Sequence, residues 1–478
     1  SQINYKSQKM RALILTIYKL NLLTMKNLNL THKPVMNYKA LITKALTLML
    51  ATFLTLSCNF SKKKQENSSS EKEELIVTRQ MGEFEKIESL RLIWPTYDNK
   101  KGEPVESVTL AIIDELVSDL RIVISCADDE TLKTVKSKLS EKYPDLKNLS
   151  FCVIPSTEMW TRDIGPMFVE TNDGKHAIAD FNLNSWGYPR SPNYLDSNTI
   201  HESYDENAAK LLNIPVISTT MVSEGGNREV NGKGTLMVTE TVAQGRNPKM
   251  TKAEMETEYK RLLGVKKVIW LKEGLVEDDH TFRGQKTLAD GTKAYTVLPT
   301  NGHVDEFARF VGNSTIVIAS IDPNELEDPI AKENYRRMEE NFKILSESTD
   351  QDGNPFRVIR VPMPPQTILN TMSPGDGAYE IIKQFDYEDG SKFPDGETVT
   401  VLVPASYLNF IITNKVVIGQ KYWREGMSEK IKTTDAGAKQ ILQEAFPNRK
   451  VVMLDVLPVN LGGGGIHCIS MHQPELKK

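Results

Sequence analysis

His303-Val304-Asp305-Glu306-Phe307, then Gly312-Asn313, then Thr315-Ile316-Val317-Ile318 sets out the repeating unit of this chain. Chemically capable residues open an apolar run, a Gly-Asn turn signal interrupts it, and a β-branched run returns. That order predicts a β-hairpin. It recurs on both sides. Asp163-Ile164-Gly165-Pro166-Met167-Phe168-Val169 leads through Asn172-Asp173-Gly174 to His176-Ala177-Ile178-Ala179. Glu224-Gly225-Gly226 leads through Asn231-Gly232 to Thr235-Leu236-Met237-Val238, and Tyr407-Leu408-Asn409-Phe410-Ile411-Ile412 through Asn414 to Val416-Val417-Ile418. Apolar residues at helical spacing occupy Val105–Leu120, Lys252–Leu263 and Glu429–Phe446, where Phe446-Pro447 marks a stop. The last two run on into strand-like Lys267–Leu271 and Lys450–Leu454. The unit is hairpin, helix, strand, and the fold class is α/β. Such units can form an open sheet, stack as a solenoid or close radially. Radial closure would bring Asp163, Glu224, His303, Asp305 and Asn409 to one centre with Cys468, and that gathering of scattered polar residues favours it.

The chain closes on Gly462-Gly463-Gly464-Gly465-Ile466-His467-Cys468-Ile469. Four glycines let backbone approach something bulky or bend sharply, and here they are expected to open onto a short apolar strand. Residues two apart on a strand share a face, so His303 and Asp305 should point together and His467 and Cys468 apart. His303 is then a better partner for Cys468 than His467 is. A free thiol, with its pKa of about 8.5, is a weak nucleophile near neutrality unless an imidazolium or a bound cation stabilises the thiolate. The carboxylates of Asp163, Asp305 and Glu224 would do the opposite. They make sense if a cationic substrate group lies between them and the sulfur, because two carboxylates can hold a guanidinium by paired charge-assisted hydrogen bonds. Taken singly, His303 reads as a core histidine and Asp163 as a turn or cap residue; the combination carries the chemistry. No Gly-Lys-Ser/Thr follows the glycine run, which argues against phosphate binding. A Cys–His protease would leave the acidic cluster unexplained.

Of the 478 residues 39% are hydrophobic and 26% charged, ordinary for a globular protein with ample length for a large core. A net charge of −4 without a long basic tract in the main body gives no hint of nucleic-acid binding. Seven histidines and four cysteines show no zinc-ligand spacing, and neither metal nor cofactor is expected. The N-terminal part differs from the rest. Residues 1–35 are Leu-, Lys- and Asn-rich and are set aside as a non-structural upstream segment. Residues 36–58 have the layout of a secretory signal: a basic start, an apolar stretch from Ala45 to Leu56, then Ser57-Cys58. Cys58 is the expected lipidation site of an exported lipoprotein on a bacterial envelope, residues 59–75 a flexible tether, and 76–478 one catalytic domain. In oxidising surroundings Cys126 and Cys152 are expected on buried strands, where a disulfide between them is possible, leaving Cys468 as the free thiol.

Several ordered motifs resemble the agmatine deiminase and Porphyromonas-type peptidylarginine deiminase family. They are Met81-Gly82-Glu83-Phe84-Glu85, Leu92-Ile93-Trp94-Pro95, Trp160-Thr161-Arg162-Asp163-Ile164-Gly165-Pro166, Asn182-Leu183-Asn184-Ser185-Trp186-Gly187, Glu224-Gly225-Gly226, Arg246-Asn247-Pro248, Gly302-His303-Val304-Asp305, Ser406-Tyr407-Leu408-Asn409, Gly464-Gly465-Ile466-His467-Cys468 and His472-Gln473-Pro474. The resemblance implies a five-bladed, pseudo-fivefold α/β propeller of the pentein type with a central metal-free site. It implies Cys468 as nucleophile, His303 as general acid/base, Asp163 and Asp305 as the guanidinium clamp, and Trp160, Asn409, Trp186 and Glu224 lining or adjoining the substrate. The implied reaction converts a guanidinium to a ureide plus ammonia through a covalent cysteine intermediate, with agmatine giving N-carbamoylputrescine as the leading case. Protein-bound or free arginine is the alternative. The Asn184–Gly187 segment looks more like the agmatine branch; where the peptidylarginine branch uses a pair of arginines, only Arg190 is nearby. The rival of another class is a non-catalytic surface lipoprotein that binds amines or arginine, which would need no thiol. One departure stands out: residues 281–300, with the turn signal Asp290-Gly291, separate Asp278-Asp279-His280 from Gly302-His303. This insertion is expected to emerge beside His303, either as a lid or specificity loop or as a neutral surface hairpin.

Overall fold

The computed structural model describes residues 74–145, 147–188, 200–365 and 368–477. The upstream segment 1–35, the signal segment with Cys58, most of the tether and Arg190 lie outside the described residues. Among the described residues no helix is long and apolar enough to cross a membrane.

Each expected hairpin forms. Met167–Thr171 pairs antiparallel with His176–Asn182, Glu229–Val230 with Thr235–Thr239, Ala308–Gly312 with Thr315–Ser320, and Ile411–Ile412 with Val416–Lys421. From each second strand a helix crosses over and returns a parallel strand. The helices Tyr204–Leu212, Lys252–Leu263, Pro329–Glu347 and Glu429–Ala445 lead to Val216–Val222, Lys267–Leu271, Arg357–Pro362 and Lys450–Asp455. A fifth unit is split between the two ends of the described chain. Ser470–Gln473 pairs antiparallel with Ser89–Ile93, which continues through the helix Val105–Leu116 to the parallel strand Arg121–Cys126. Parallel pairing under helices buries both faces of the middle strands. They accordingly read as unbroken apolar runs, such as Ile316–Ala319 and Val417–Ile418, which are fully buried.

Local sequence explains these elements. Lys252–Leu263 begins with a capping box between Thr251 and Glu254 and buries Met255, Tyr259, Leu262 and Leu263, one face at helical spacing. The helix Pro329–Glu347 is not among those expected from apolar spacing. Its buried face runs Ile330, Asn334, Met338, Asn341, Leu345, so two asparagines interrupt the stripe. Their amides satisfy neighbouring backbone: Asn334 accepts from the Val276 N–H (2.8 Å), and Asn341 accepts from the Lys272 N–H (2.8 Å) and donates to the Glu273 carbonyl (2.8 Å).

Cys126 and Cys152 are both free thiols. Cys152 sits opposite Ser125 in the ladder and is only half-buried, which corrects the expectation of two buried cysteines able to pair. The insertion is no isolated surface hairpin. Lys286–Thr287 and Lys293–Thr296 do pair across the Asp290-Gly291 turn, but Lys293–Thr296 also runs parallel to Val399–Leu402, which pairs with Leu369–Met372. A sixth, four-stranded sheet results.

Candidate active site

In each unit the chemically capable residue sits on a turn ahead of the hairpin and not on its first strand. Asp163 lies in the short helix Thr161–Ile164, and Glu224 precedes the 3₁₀ turn Gly225–Asn227. His303 precedes, and Asp305 lies within, the 3₁₀ turn Val304–Glu306. Cys468 lies in a turn ending at the strand Ser470–Gln473. This corrects the expectation that His303–Asp305 and His467–Cys468 are extended. The turns nonetheless converge, and the structure brings Asp163, Glu224, His303, Asp305, Asn409 and Cys468 together.

Cys468 Sγ receives a hydrogen bond from Asn409 Nδ2 (3.3 Å) and lies 3.7 Å from both Asp305 Oδ2 and Glu306 Oε1. Sequence reasoning missed Glu306. Neighbours on a strand face opposite ways, whereas successive residues of a 3₁₀ turn are about 120° apart and can reach one atom. The His303 ring lies 3.8 Å from Asp163 Oδ1 through Nδ1 and 3.7 Å from Glu224 Oε2 through Nε2. Among the described residues no hydrogen bond joins His303 to Cys468. Both His303 nitrogens, Glu224 Oε2 and Asp305 Oδ1 are buried without a hydrogen-bond partner. Unpaired buried polar atoms are rare in folded proteins, and the two carboxylate oxygens of this set are acceptors that a planar, multi-donor cation could satisfy.

His467 is not the bystander that strand geometry implied. Its Nδ1 is 2.7 Å from Asp305 Oδ2 and its Nε2 2.8 Å from Glu83 Oε2. Glu83 also pairs with Arg162 (2.5 Å) and Arg309 (2.6 Å), and Arg309 with Glu229. A buried ionic network thus underlies the site and orients Asp305. Asp163 is fixed by the Trp186 indole N–H (2.8 Å) and the Gly226 N–H (2.8 Å). Trp186 itself has left-handed backbone (φ 52°) and is held there by that bond and by His280 at its carbonyl (2.9 Å). Arg246 ties Glu224 (2.6 Å) to the Thr300 carbonyl (2.7 Å).

The electrostatics follow from this crowding. Burial, then Asp305, Glu306 and Asp163, push the Cys468 thiol well up. Burial works against a charged His303, but Asp163, Glu224 and Asp305 outweigh it and hold the imidazole at about 9. Burial together with Asp305 and Asp278 raises Glu306 well above the carboxylate range. Against burial, His467 keeps Asp305 low. The free site therefore carries a neutral thiol, an imidazolium and an excess of carboxyl groups.

Cys468 and Asp163 open onto a cavity of about 340 Å³ lined also by Trp160, Trp186, Tyr188 and Glu158. The far end of the insertion supplies Leu298 and Thr300 to the same wall. Asp278 pins that end, accepting from the backbone N–H groups of Thr300 (2.8 Å), Gly302 (2.8 Å) and His303 (2.9 Å). The insertion is thus part of the cavity wall as well as surface. The glycine run serves close packing: a Cβ on Gly464 would meet the Trp160 ring at 2.9 Å and Cys468 Sγ at 3.1 Å.

Gly226 is tighter. A Cβ there would stand 2.5 Å from His303 Nδ1 and 3.1 Å from both Asp163 Oδ1 and Asp305 Oδ2. Gly226→Ala is expected to leave the fold intact and to lower kcat/KM by about 10²-fold, since displacements near 1 Å cost about that much. Circular dichroism alongside steady-state kinetics checks it, and wild-type kinetics would refute it.

Known proteins resemble this chain over most of its length. Agmatine deiminase of Pseudomonas aeruginosa is 29% identical over 409 residues, 84% of this chain and 96% of that protein. Among solved structures, agmatine deiminase of Enterococcus faecalis superposes with a TM-score of 0.63 at 24% identity, covering 83% of this chain and 96% of that one. A substituted C. jejuni agmatine deiminase with substrate bound superposes with a TM-score of 0.60 at 18% identity, covering 85% and 98%. The profile of the Porphyromonas-type peptidyl-arginine deiminases matches residues 79–474. With that match spanning most of its length, the chain belongs to the Porphyromonas-type peptidyl-arginine deiminase family.

Proposed function

We propose that this protein is a guanidine deiminase whose substrate is agmatine, converted to its ureide and ammonia. The carrying observation is a buried thiol and the Asp163 carboxyl on the wall of one cavity, with the His303 imidazolium beside Asp163, the Asp305 carboxyl beside the sulfur, and no lysine or arginine in the described lining. A guanidinium supplies the charge this site lacks. Bound against the sulfur and beside the carboxylates of Asp163 and Asp305, it offsets the field that keeps the thiol protonated. Asn409, already bonded to Sγ, stabilises the thiolate. The thiol gives up its proton to solvent as the guanidinium binds, the sulfur bonds to the guanidinium carbon, and the departing nitrogen takes a proton from His303 and leaves as ammonia. Neutral His303 then takes a proton from water as its oxygen bonds to the same carbon. The C–S bond breaks, the hydroxyl of the adduct gives its proton to the departing sulfur, and the thiol is restored as the ureide departs. The names of the relatives support agmatine, and so does an acidic cavity that would repel the carboxylate of free arginine.

The same reading takes the five hairpin–helix–strand units as blades of a pseudo-fivefold α/β propeller. Its support is that the last strand pairs into the sheet of the first unit and that all five units send a turn to one centre.

Colorimetric ureide and ammonia detection with agmatine, arginine and an arginyl peptide tests the assignment. Ureide from agmatine is expected, with kcat/KM falling as pH rises through about 9, where His303 loses its proton. Product from the peptide and not from agmatine would overturn the substrate. No product from any of the three would leave an amine-binding protein.

A further inference from the structure

The cavity has a second acidic group remote in sequence from the thiol's partners. Glu158 lines the wall it shares with Cys468, and its Oε2 accepts a hydrogen bond from the Tyr97 hydroxyl (2.6 Å). Among the described residues no lysine, arginine or histidine forms an ion pair with it, in contrast to several carboxylates elsewhere in this fold. Glu83, Glu224, Glu229 and Asp279 are each paired with a cation. A half-buried carboxylate with one neutral donor is costly to keep charged. Burial accordingly pushes the Glu158 carboxyl up to about 7, against the opposing pull of Tyr97. Apart from Asp163 it is the one charged side chain among the described residues lining the cavity, and the wall between is mostly aromatic and aliphatic: Trp160, Trp186, Tyr188, Leu298 and Ile381. Such a wall accepts a methylene chain and offers no cation to a carboxylate.

We propose that Glu158, oriented by Tyr97, is the anchor for a second cationic group on the substrate, an alkylammonium at the end of the chain opposite the guanidinium. It thereby selects guanidines ending in an amine over those ending in an amino-acid carboxylate. This inference rests on the deiminase reading and adds a specificity-determining residue to it. Glu158 does not touch the reacting carbon; it acts on binding and register. Its ammonium partner would replace a missing ion pair, and loss of a charge-assisted hydrogen bond of this kind costs about 10- to 100-fold in affinity.

The test compares agmatine with n-butylguanidine, which keeps the guanidinium and the four-carbon chain but lacks the amine. In the wild-type protein kcat/KM is expected to favour agmatine by about 10- to 100-fold. Glu158→Gln keeps the shape and an acceptor for Tyr97, and is expected to bring that ratio close to one, through KM for agmatine. Tyr97→Phe should lower it partway. A ratio unchanged by Glu158→Gln, or a loss shared equally by both guanidines, would overturn the proposal. Calorimetric binding of agmatine to Cys468→Ser, with and without Glu158→Gln, gives a readout independent of turnover. If the wild-type protein forms no ureide, the deiminase reading falls while this pair of dissociation constants still decides the role of Glu158. Equal constants, or no binding to either, would overturn it.

Discussion

Cys468→Ser is expected to form no detectable ureide from agmatine, a fall in kcat of at least about 10³-fold, while still binding the substrate. The sulfur has no substitute within the site. Asn409, Asp305 and Glu306 are its polar neighbours, and none is placed to act as a nucleophile once the thiol is gone. A serine hydroxyl in the same place meets the same three carboxyl groups and is intrinsically a far weaker acid than the thiol. The remaining architecture is untouched: Asn409 still accepts from the His467 N–H (2.8 Å), and His467 still bonds Asp305. Binding should therefore persist while chemistry stops. Mass spectrometry of the wild-type protein quenched during turnover should show an adduct on Cys468, absent in the serine variant. Turnover by the serine variant would remove the covalent step from the mechanism.

The largest effect on stability is expected from Glu83→Ala. Glu83 accepts from Arg162, Arg309 and His467 and lies near His472 (3.5 Å), and both arginines are almost wholly buried. Removing it leaves two guanidinium groups without their shared counter-charge, a loss of roughly 3–5 kcal/mol when a buried ion pair is broken from one side. That is a large share of the roughly 5–15 kcal/mol that holds a domain folded. Urea unfolding should show a lower midpoint with an unchanged slope. The sign of the pH dependence follows from the charge. Despite burial, Arg162, His467, His472 and Arg309 hold the Glu83 carboxyl well below its ordinary value. Its contribution is thus complete above the unfolded carboxylate pKa of about 4.3 and is lost as pH falls further toward the folded value. The gap between wild type and variant should close on that descent. A gap that widens toward acid, or a midpoint that does not move, would show that the arginines find compensation elsewhere. Activity should fall too, because His467 loses the partner that fixes it against Asp305.

Much of the fold is legible in local sequence because its unit is local. Lys252–Leu263 carries its own capping box and apolar face, and Lys267–Leu271 its own apolar run; both form where spacing places them. Pro329–Glu347 escapes the same reading because Asn334 and Asn341, which cap backbone of neighbouring segments, occupy its buried face. The fifth unit escapes because its first strand is Ser470–Gln473 and its second Ser89–Ile93, too far apart in sequence for any window to join them. The same holds for the sixth sheet, where Lys293–Thr296 finds its partner at Val399–Leu402.

The sequence by itself determined the α/β class, the repeating unit, the family resemblance and the set Asp163, Glu224, His303, Asp305, Asn409 and Cys468, because each follows from short-range pattern. Only the tertiary structure decided how that set is arranged. Turns in place of strands at 304–306 and 466–469 let Asp305 and Glu306 approach one sulfur and bind Asp305 to His467. It also put Glu158 and the end of the insertion on the wall beside Cys468. Backbone turn geometry and the approach of segments distant in sequence are set by packing of the whole chain, and residue periodicity carries no record of either.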